Sequence, residues 1–258
     1  MRIIFSCLLL ISTSILADSH QVAIVIDDIG YRQSDVHAMD LPGKVTFAIL
    51  PHTPLGKRLA QRAHAEHKDV ILHIPMESAL GKKLGPGALT SDMSEAEIHA
   101  SLEHSFEEIP FAKGINNHMG SYLTTLHEPM MSTMKYLRER NAFFLDSVTT
   151  NESKALSAAK AHGVPTLSRH IFLDNNLTEE YIAGQFQLVI EAAQKRKHVI
   201  AIGHPHPKTV EVLTKLIPTL EQHDIHLVPL SKLLINEPVI ASSPTPGVEE
   251  TSGVSAPQ

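Results

Sequence analysis

Short runs that are apolar on both faces restrict this chain more than any other feature. Only a sheet covered on both sides can bury them. Such runs stand at 22–26, 45–50, 70–74, 142–145 and 199–202, with weaker ones at 114–116, 164–167 and 225–228. They are rich in β-branched residues and bounded by polar residues, glycine or proline, as buried strands are. Helical patterns fill the gaps. Ser94 with Glu97 forms a capping box, and Ile98, Leu102, Phe106 and Ile109 continue it as a helical stripe. Thr178 can cap a helix reaching about Lys195, and 209–223 reads as another. Seven or eight repeats of strand then helix imply a parallel sheet. No glycine-rich loop follows the first strand, which argues against a dinucleotide fold. The expected architecture is α/β: a single (β/α)7–8 barrel, TIM-like but distorted, with parallel strands inside and helices outside.

The two ends read differently. Residues 1–17 carry Arg2, then a mostly apolar stretch over 3–16, then Ala17 as a plausible cleavage point. This reads as a secretory signal, too short for a comfortable membrane span. A periplasmic or secreted location is therefore expected, with no stable membrane span once the signal is removed. Residues 236–258 are rich in proline, serine, threonine and glycine, and are expected to form a disordered tail. That leaves 18–235 for the barrel. Cys7, the one cysteine, lies in the signal, so a disulfide framework and a cysteine zinc site are both excluded from the mature chain. The formal charge is −6 and there is no basic run, which argues against nucleic acid as a partner. Seventeen histidines raise the expectation of metal chemistry.

In a barrel the chemistry gathers where the strands end. Asp27 and Asp28 follow the first apolar run, and Pro51-His52 follow the second. His73 and Glu77 stand at the end of the third, and Asn116, Asn117 and His118 at the fourth. Asp146 and Ser147 close the fifth, Arg169 and His170 follow the sixth with Asp174 a little later, and His204 and His206 follow the seventh. Two adjacent carboxylates at a buried strand end are costly unless a cation neutralises one of them. The other is then free to act as a general base. The competing reading is a helix cap for Asp27 or Asp28, and a hydrogen-bonded turn for the asparagines. His73 and His118 are candidate ligands, and His204 is carried into the mouth by the aliphatic run before it. Glu77, Asn117, Asp146, Arg169, His170 and His206 are further candidates for the site.

These residues resemble the divergent branch of the polysaccharide deacetylase family, over about 21–234. Ile26-Asp27-Asp28 resembles the family's first motif, in which the first aspartate is the base and the second binds the metal. The stretches 25–30, 73–77 and 116–121 resemble signatures of the divergent branch. Residues 200–204 resemble the last motif, whose histidine is the general acid. The chain departs from the pattern as well. Where the family has a second histidine four residues after the first, Glu77 stands here. The usual arginine and Pro-Tyr motif gives way to 116–121. The motif with paired aspartate and tryptophan is missing, Asp146 lies nearby in order, and the chain has no tryptophan.

The resemblance implies an exported carbohydrate deacetylase acting on an envelope glycan such as peptidoglycan. A divalent ion, zinc above others, would sit on Asp28, His73 and His118, with Glu77 or water as alternatives for the third ligand. Asp27 would be the base and His204 the acid. Two rivals stand beside this reading: a degenerate barrel that binds glycan or an envelope partner without hydrolysis, and a metal hydrolase of another amide or ester.

Overall fold

The computed structural model describes residues 20–234. Nine strands occur in it: β1 His20–Ile29, β2 Thr46–Ile49, β3 Val70–Met76, β4 Gly114–Met119, β5 Phe143–Asp146, β6 Thr166–Ser168, β7 Ile171–Phe172, β8 His198–Gly203 and β9 Ile225–Leu227. The helices are α1 Gly56–Ala65, α2 Glu95–Glu108, α3 His127–Arg140, α4 Ala155–His162, α5 Glu179–Ala193, α6 Pro207–Leu216 and α7 Leu230–Leu234. Short 3-10 helices span Gln33–Asp40, Leu123–Thr125 and Ile217–His223. The expected signal over 1–17 and the expected tail over 236–258 lie outside the described residues. No helix among the described residues is long and apolar enough to cross a membrane.

All the strand pairs are parallel, in the order β6-β5-β4-β3-β2-β1-β8-β7, with β9 on β1. The sheet curls until one extended stretch, 166–172, joins its two edges. β6 lies on β5, and the Arg169 amide still donates to the Asp146 carbonyl. The next amide, His170, donates to the Ile200 carbonyl of β8, where β7 continues. The architecture is thus a curled parallel sheet with helices around it, the distorted TIM-like arrangement expected. Each of the eight apolar runs became a strand. The ninth, β7, leaves no signal in the sequence, because two half-buried residues show no periodicity.

The helices start where their caps place them. Ser94 Oγ accepts from the Glu97 amide at 3.4 Å while Glu97 Oε2 accepts from the Ser94 amide at 2.8 Å. Thr178 Oγ1 accepts from the Tyr181 amide at 3.2 Å and opens α5.

Two apolar cores result. The larger fills the space between the sheet and the helices. The smaller fills the inside of the curl, with Ala23 and Val25 of β1, Ala48 of β2, Ile71 of β3, Phe143 and Leu145 of β5, and Ile200 and Ile202 of β8. α7 plugs the bottom through Leu230 and Leu233, tied by the Leu230 amide to Thr46 Oγ1 and by the Ser231 amide to Asp69 Oδ2. Successive strand residues point to opposite faces, so the inward set is every second residue. That parity positions the site.

Candidate active site

Two residues beyond the last inward apolar residue, several strands turn polar. Val25 leads to Asp27, Ile71 to His73, Leu145 to Ser147 and Ile202 to His204, and on β4 Asn116 and His118 share the inward face. Asp28 has the wrong parity and reaches the same mouth only because β1 bulges. Ile26 pairs with Phe47 but Ile29 pairs with Ile49, so β1 holds one extra residue between them. Asp28 takes that residue's strain at φ 59°, a left-handed conformation uncommon outside glycine. Gly30 follows at φ 143°, packed so tightly that a Cβ would meet Thr53 Oγ1 at 2.1 Å.

The bulge creates the first cluster. Asp28 Oδ1 lies 2.8 Å from His118 Nδ1 and 3.1 Å from His73 Nε2, and the two ring nitrogens are 3.1 Å apart. Yet Asp28 Oδ1 is a buried oxygen that receives no hydrogen bond. Burial alone would raise the Asp28 pKa, but His118 and His73 outweigh it and hold the carboxyl well below the usual range. One carboxylate oxygen and two imidazole nitrogens, converging within 3.1 Å of one another, are a donor set of the kind that holds a divalent cation.

Asn116 governs this cluster from behind. Its Oδ1 takes the proton of His73 Nδ1 at 2.7 Å, which leaves the Nε2 lone pair facing Asp28. Its Nδ2 donates to Asp27 Oδ1 at 2.9 Å and to Ser147 Oγ at 3.2 Å. Asp27 is buried, with Oδ2 3.7 Å from His73 Nε2. Burial raises its pKa above the usual range, against the pull of His73, His204 and the Asn116 bond. A carboxylate poised that way suits proton uptake.

The second cluster holds Asp174, His204 and His206. Here both carboxylate oxygens of Asp174 are used. Asp174 Oδ1 accepts from His204 Nδ1 at 2.9 Å, and Oδ2 accepts from the His204 amide at 2.7 Å and from Thr209 Oγ1 at 2.9 Å. The His204 ring stacks on Phe172. Burial would depress the imidazole, but Asp174, with Asp27 and Asp28 nearby, pushes its pKa up to about 9. His204 is therefore a cation at neutral pH, with Nε2–H left to donate. A cleft of about 280 Å³ serves both clusters, lined by Asp28 and His118 from the first and His204 and His206 from the second, with Tyr31, Arg32 and Asp35.

Five other candidates join neither cluster. Glu77 Oε2 accepts from the Ser91 amide at 2.7 Å and pins the loop after β3, so it does not join His73 and His118. Asn117 points away from the mouth by parity and braces loops, donating to the Met119 carbonyl and accepting from the Ser147 amide. Asp146 is consumed by its own loop, accepting from the Val148 amide and from Ser153 Oγ. Arg169 clamps that loop by donating to the Ser147 and Val148 carbonyls and lies over the Phe172 ring. His170 Nδ1 accepts from the Ile200 amide at 3.0 Å, low on β8, and burial pushes its pKa down to about 4. Asn116 and the pairing of Asp174 with His204 are the features that the motifs did not single out. Parity along β4 marks Asn116, whereas nothing in chain order couples Asp174 to His204.

A sequence model described as divergent polysaccharide deacetylase matches residues 24–234, most of the chain. The chain belongs to the divergent polysaccharide deacetylase family. It is 39% identical over 243 residues to the uncharacterized protein YibQ of Escherichia coli K12, spanning 94% of this chain and 75% of that one. Its fold is similar to that of the uncharacterized protein ATU2773 from Agrobacterium tumefaciens, with TM-score 0.80 and 24% identity over 84% of this chain and 90% of that one. It is also similar in fold to BA3943, a CE4-family pseudoenzyme from Bacillus anthracis, with TM-score 0.51 and 12% identity over 84% of this chain and 66% of that one. At these identities the two solved structures speak to the fold alone.

Proposed function

We propose that this family member is an exported deacetylase that removes the acetyl group from an N-acetyl sugar of an envelope glycan such as peptidoglycan. Zinc is the ion we assign to Asp28, His73 and His118. One observation carries the reading: the mouth pairs an unsatisfied Asp-His-His donor set and a buried base with a protonated histidine in the same cleft. A divalent ion held there would lower the pKa of water and polarise a carbonyl oxygen.

The chain's own groups divide the remaining work. Asp27, fixed through Oδ1 by Asn116, takes a proton from the attacking water on Oδ2. The water oxygen bonds to the acetyl carbon and the carbon–nitrogen bond breaks. His204, kept charged by Asp174, gives the Nε2 proton to the departing nitrogen. Acetate and a free amino sugar leave.

A CE4 pseudoenzyme of similar fold is the reason to weigh a second reading, a barrel that binds glycan without cleaving it. The deciding experiment measures zinc content and acetate release from N-acetyl glycans, in wild type and in Asp27→Asn. About one zinc per chain and acetate release abolished by Asp27→Asn are expected. Bound zinc with no acetate from any glycan sinks the catalytic reading and leaves the binding one.

A further inference from the structure

The loop between β3 and α2 carries a group of residues that the proposed chemistry does not use. Residues 78–81 form a turn, closed by the Gly81 amide on the Ser78 carbonyl at 3.1 Å. Leu80 stands at its apex and is 82% exposed. Gly81 follows at φ 59°, and a Cβ there would meet nothing within 4 Å, so the tip stands clear of the rest of the protein. The turn is nonetheless held in place. Ser78 Oγ accepts from the Lys82 amide at 3.2 Å, and the Ala79 amide donates to Ser121 Oγ at 3.1 Å. One exposed leucine is ordinary. This one has company.

Six large apolar side chains are exposed among the described residues, and Leu80, Tyr31 and Tyr122 share one rim. Tyr122 follows Ser121, and its amide donates to the Glu77 carbonyl at 3.2 Å, so the loops after β3 and β4 are tied together. Tyr31 sets its hydroxyl against Gly85 of the same loop, 3.1 Å from where a Cβ would stand. Tyr31 also walls the cleft with Asp28 and His118, so this rim belongs to the mouth. The rim is cationic as well. Lys82 and Lys83 follow the apex and Arg32 follows Tyr31, all three exposed. None of the three forms an ion pair among the described residues. Residues 78–91 include no acid, in a chain of formal charge −6.

A protruding aliphatic tip, two tyrosines and three unpaired cations have the chemistry of a lipid–water interface. Leucine enters the acyl boundary, a tyrosine ring sits at headgroup level, and lysine and arginine meet anionic headgroups. A small ligand asks instead for a concave wall. We propose that this rim docks on an anionic lipid surface, with Leu80 inserted and the mouth of the cleft brought to the membrane. The proposal goes beyond the deacetylase reading and does not depend on it. The contact is weak and reversible, because one leucine and three cations anchor far less than a spanning helix. The braced turn lowers the ordering cost, and salt weakens the attraction.

The chain from residue 18 onward keeps every described residue and removes the apolar stretch 3–16, whose own affinity for lipid would mask the effect. Vesicles of phosphatidylglycerol and phosphatidylcholine in equal parts should sediment this protein at low salt, and vesicles of phosphatidylcholine alone should carry down little. Leu80→Ser and Lys82→Glu should each lower the partition coefficient about fivefold or more. Leu188→Ser, at an exposed leucine of α5, should leave it unchanged. The chain has no tryptophan, so Leu80→Trp puts a lone reporter at the apex. Its emission should move to the blue on anionic vesicles and stay still on neutral ones. Sedimentation that Leu80→Ser and Lys82→Glu leave intact overturns the proposal, because another surface then holds the lipid. Loss in Lys82→Glu without a blue shift overturns it too, since the tip then stays in water. An emission change with a soluble anionic glycan but not with vesicles gives the rim to a glycan and rejects the lipid. No response to either overturns the docking surface outright.

Discussion

Two clusters of the same composition, one aspartate and two histidines each, border one cleft and have opposite characters. In the first, Asp28 Oδ1 is buried and accepts nothing although two imidazoles stand within 3.1 Å. In the second, both oxygens of Asp174 are saturated by the His204 ring, the His204 amide and Thr209. A buried carboxylate oxygen on which two imidazole nitrogens converge suits a metal ion. A saturated anion beside one imidazole holds a proton on it. Residue type therefore does not separate a metal site from an acid; the count of hydrogen bonds already made does.

The largest test of this contrast is where the metal goes. On the zinc site proposed above, Asp28→Ala and His73→Ala should each abolish zinc binding and lower kcat/KM at least ~1,000-fold, combining lost metal and lost geometry. Asp174→Asn and His206→Ala should keep it. Elemental analysis of the four variants decides, and zinc lost from the second pair breaks the contrast. Next comes the acid. Asp174→Asn should cost ~100- to 1,000-fold in kcat at neutral pH. Its alkaline limb should fall from near pH 9 toward the ordinary histidine range, a change visible in the pH–rate profile.

The same pair affects stability, and the sign follows from the direction of the shift. The folded pKa of His204 is raised from 6.5 to about 9, so the stabilisation is complete below pH 6.5 and is lost as pH climbs through 9. Its full size is at most about 3 kcal/mol. Urea unfolding of the metal-free protein should show wild type exceeding His204→Gln at pH 6 by an amount that fades by pH 10. A constant gap would show that packing on Phe172, not charge, sets it.

The smallest effects distinguish neighbours on β4. Asn116→Ala should weaken zinc affinity ~10- to 100-fold, because His73 loses the partner that orients it. Asn117→Ala should leave zinc affinity unchanged and cost ~1–3 kcal/mol of stability through the unpaired Ser147 amide. A titration against a competing chelator, with a melting curve for each, checks both.

These neighbours also show what could be read from the chain alone. The strands were legible because burial on both faces leaves apolar runs that no other element needs. Asp27, His73, His118 and His204 were legible because each continues an inward register by two residues. The same rule favours Asn116 over Asn117, and motif likeness alone does not weigh it. Asp28 was legible only as half of an acidic pair. Its route into the mouth depends on a bulge and a left-handed backbone that no residue type around it announces. Asp174 stands in order among the strand-end residues, but its role was hidden for another reason. Its partner is 30 residues away, on the loop after another strand, and pairing across the curl leaves no periodic trace.

The first strand has one further consequence. β1 lies against β8 along 21–26 and against β9 at 20–22, so the beginning and the end of the described chain are hydrogen-bonded to each other. A polypeptide that leaves the ribosome with its amino end first cannot complete this sheet until some two hundred further residues have followed. Pairing of such high sequence separation folds slowly. For as long as residues 225–234 are missing, β1 lacks a neighbour and the inside of the curl lacks its plug. A chain in that condition still lacks the contacts that close the curl, and it acquires its rigid form only when its last described strand and helix arrive.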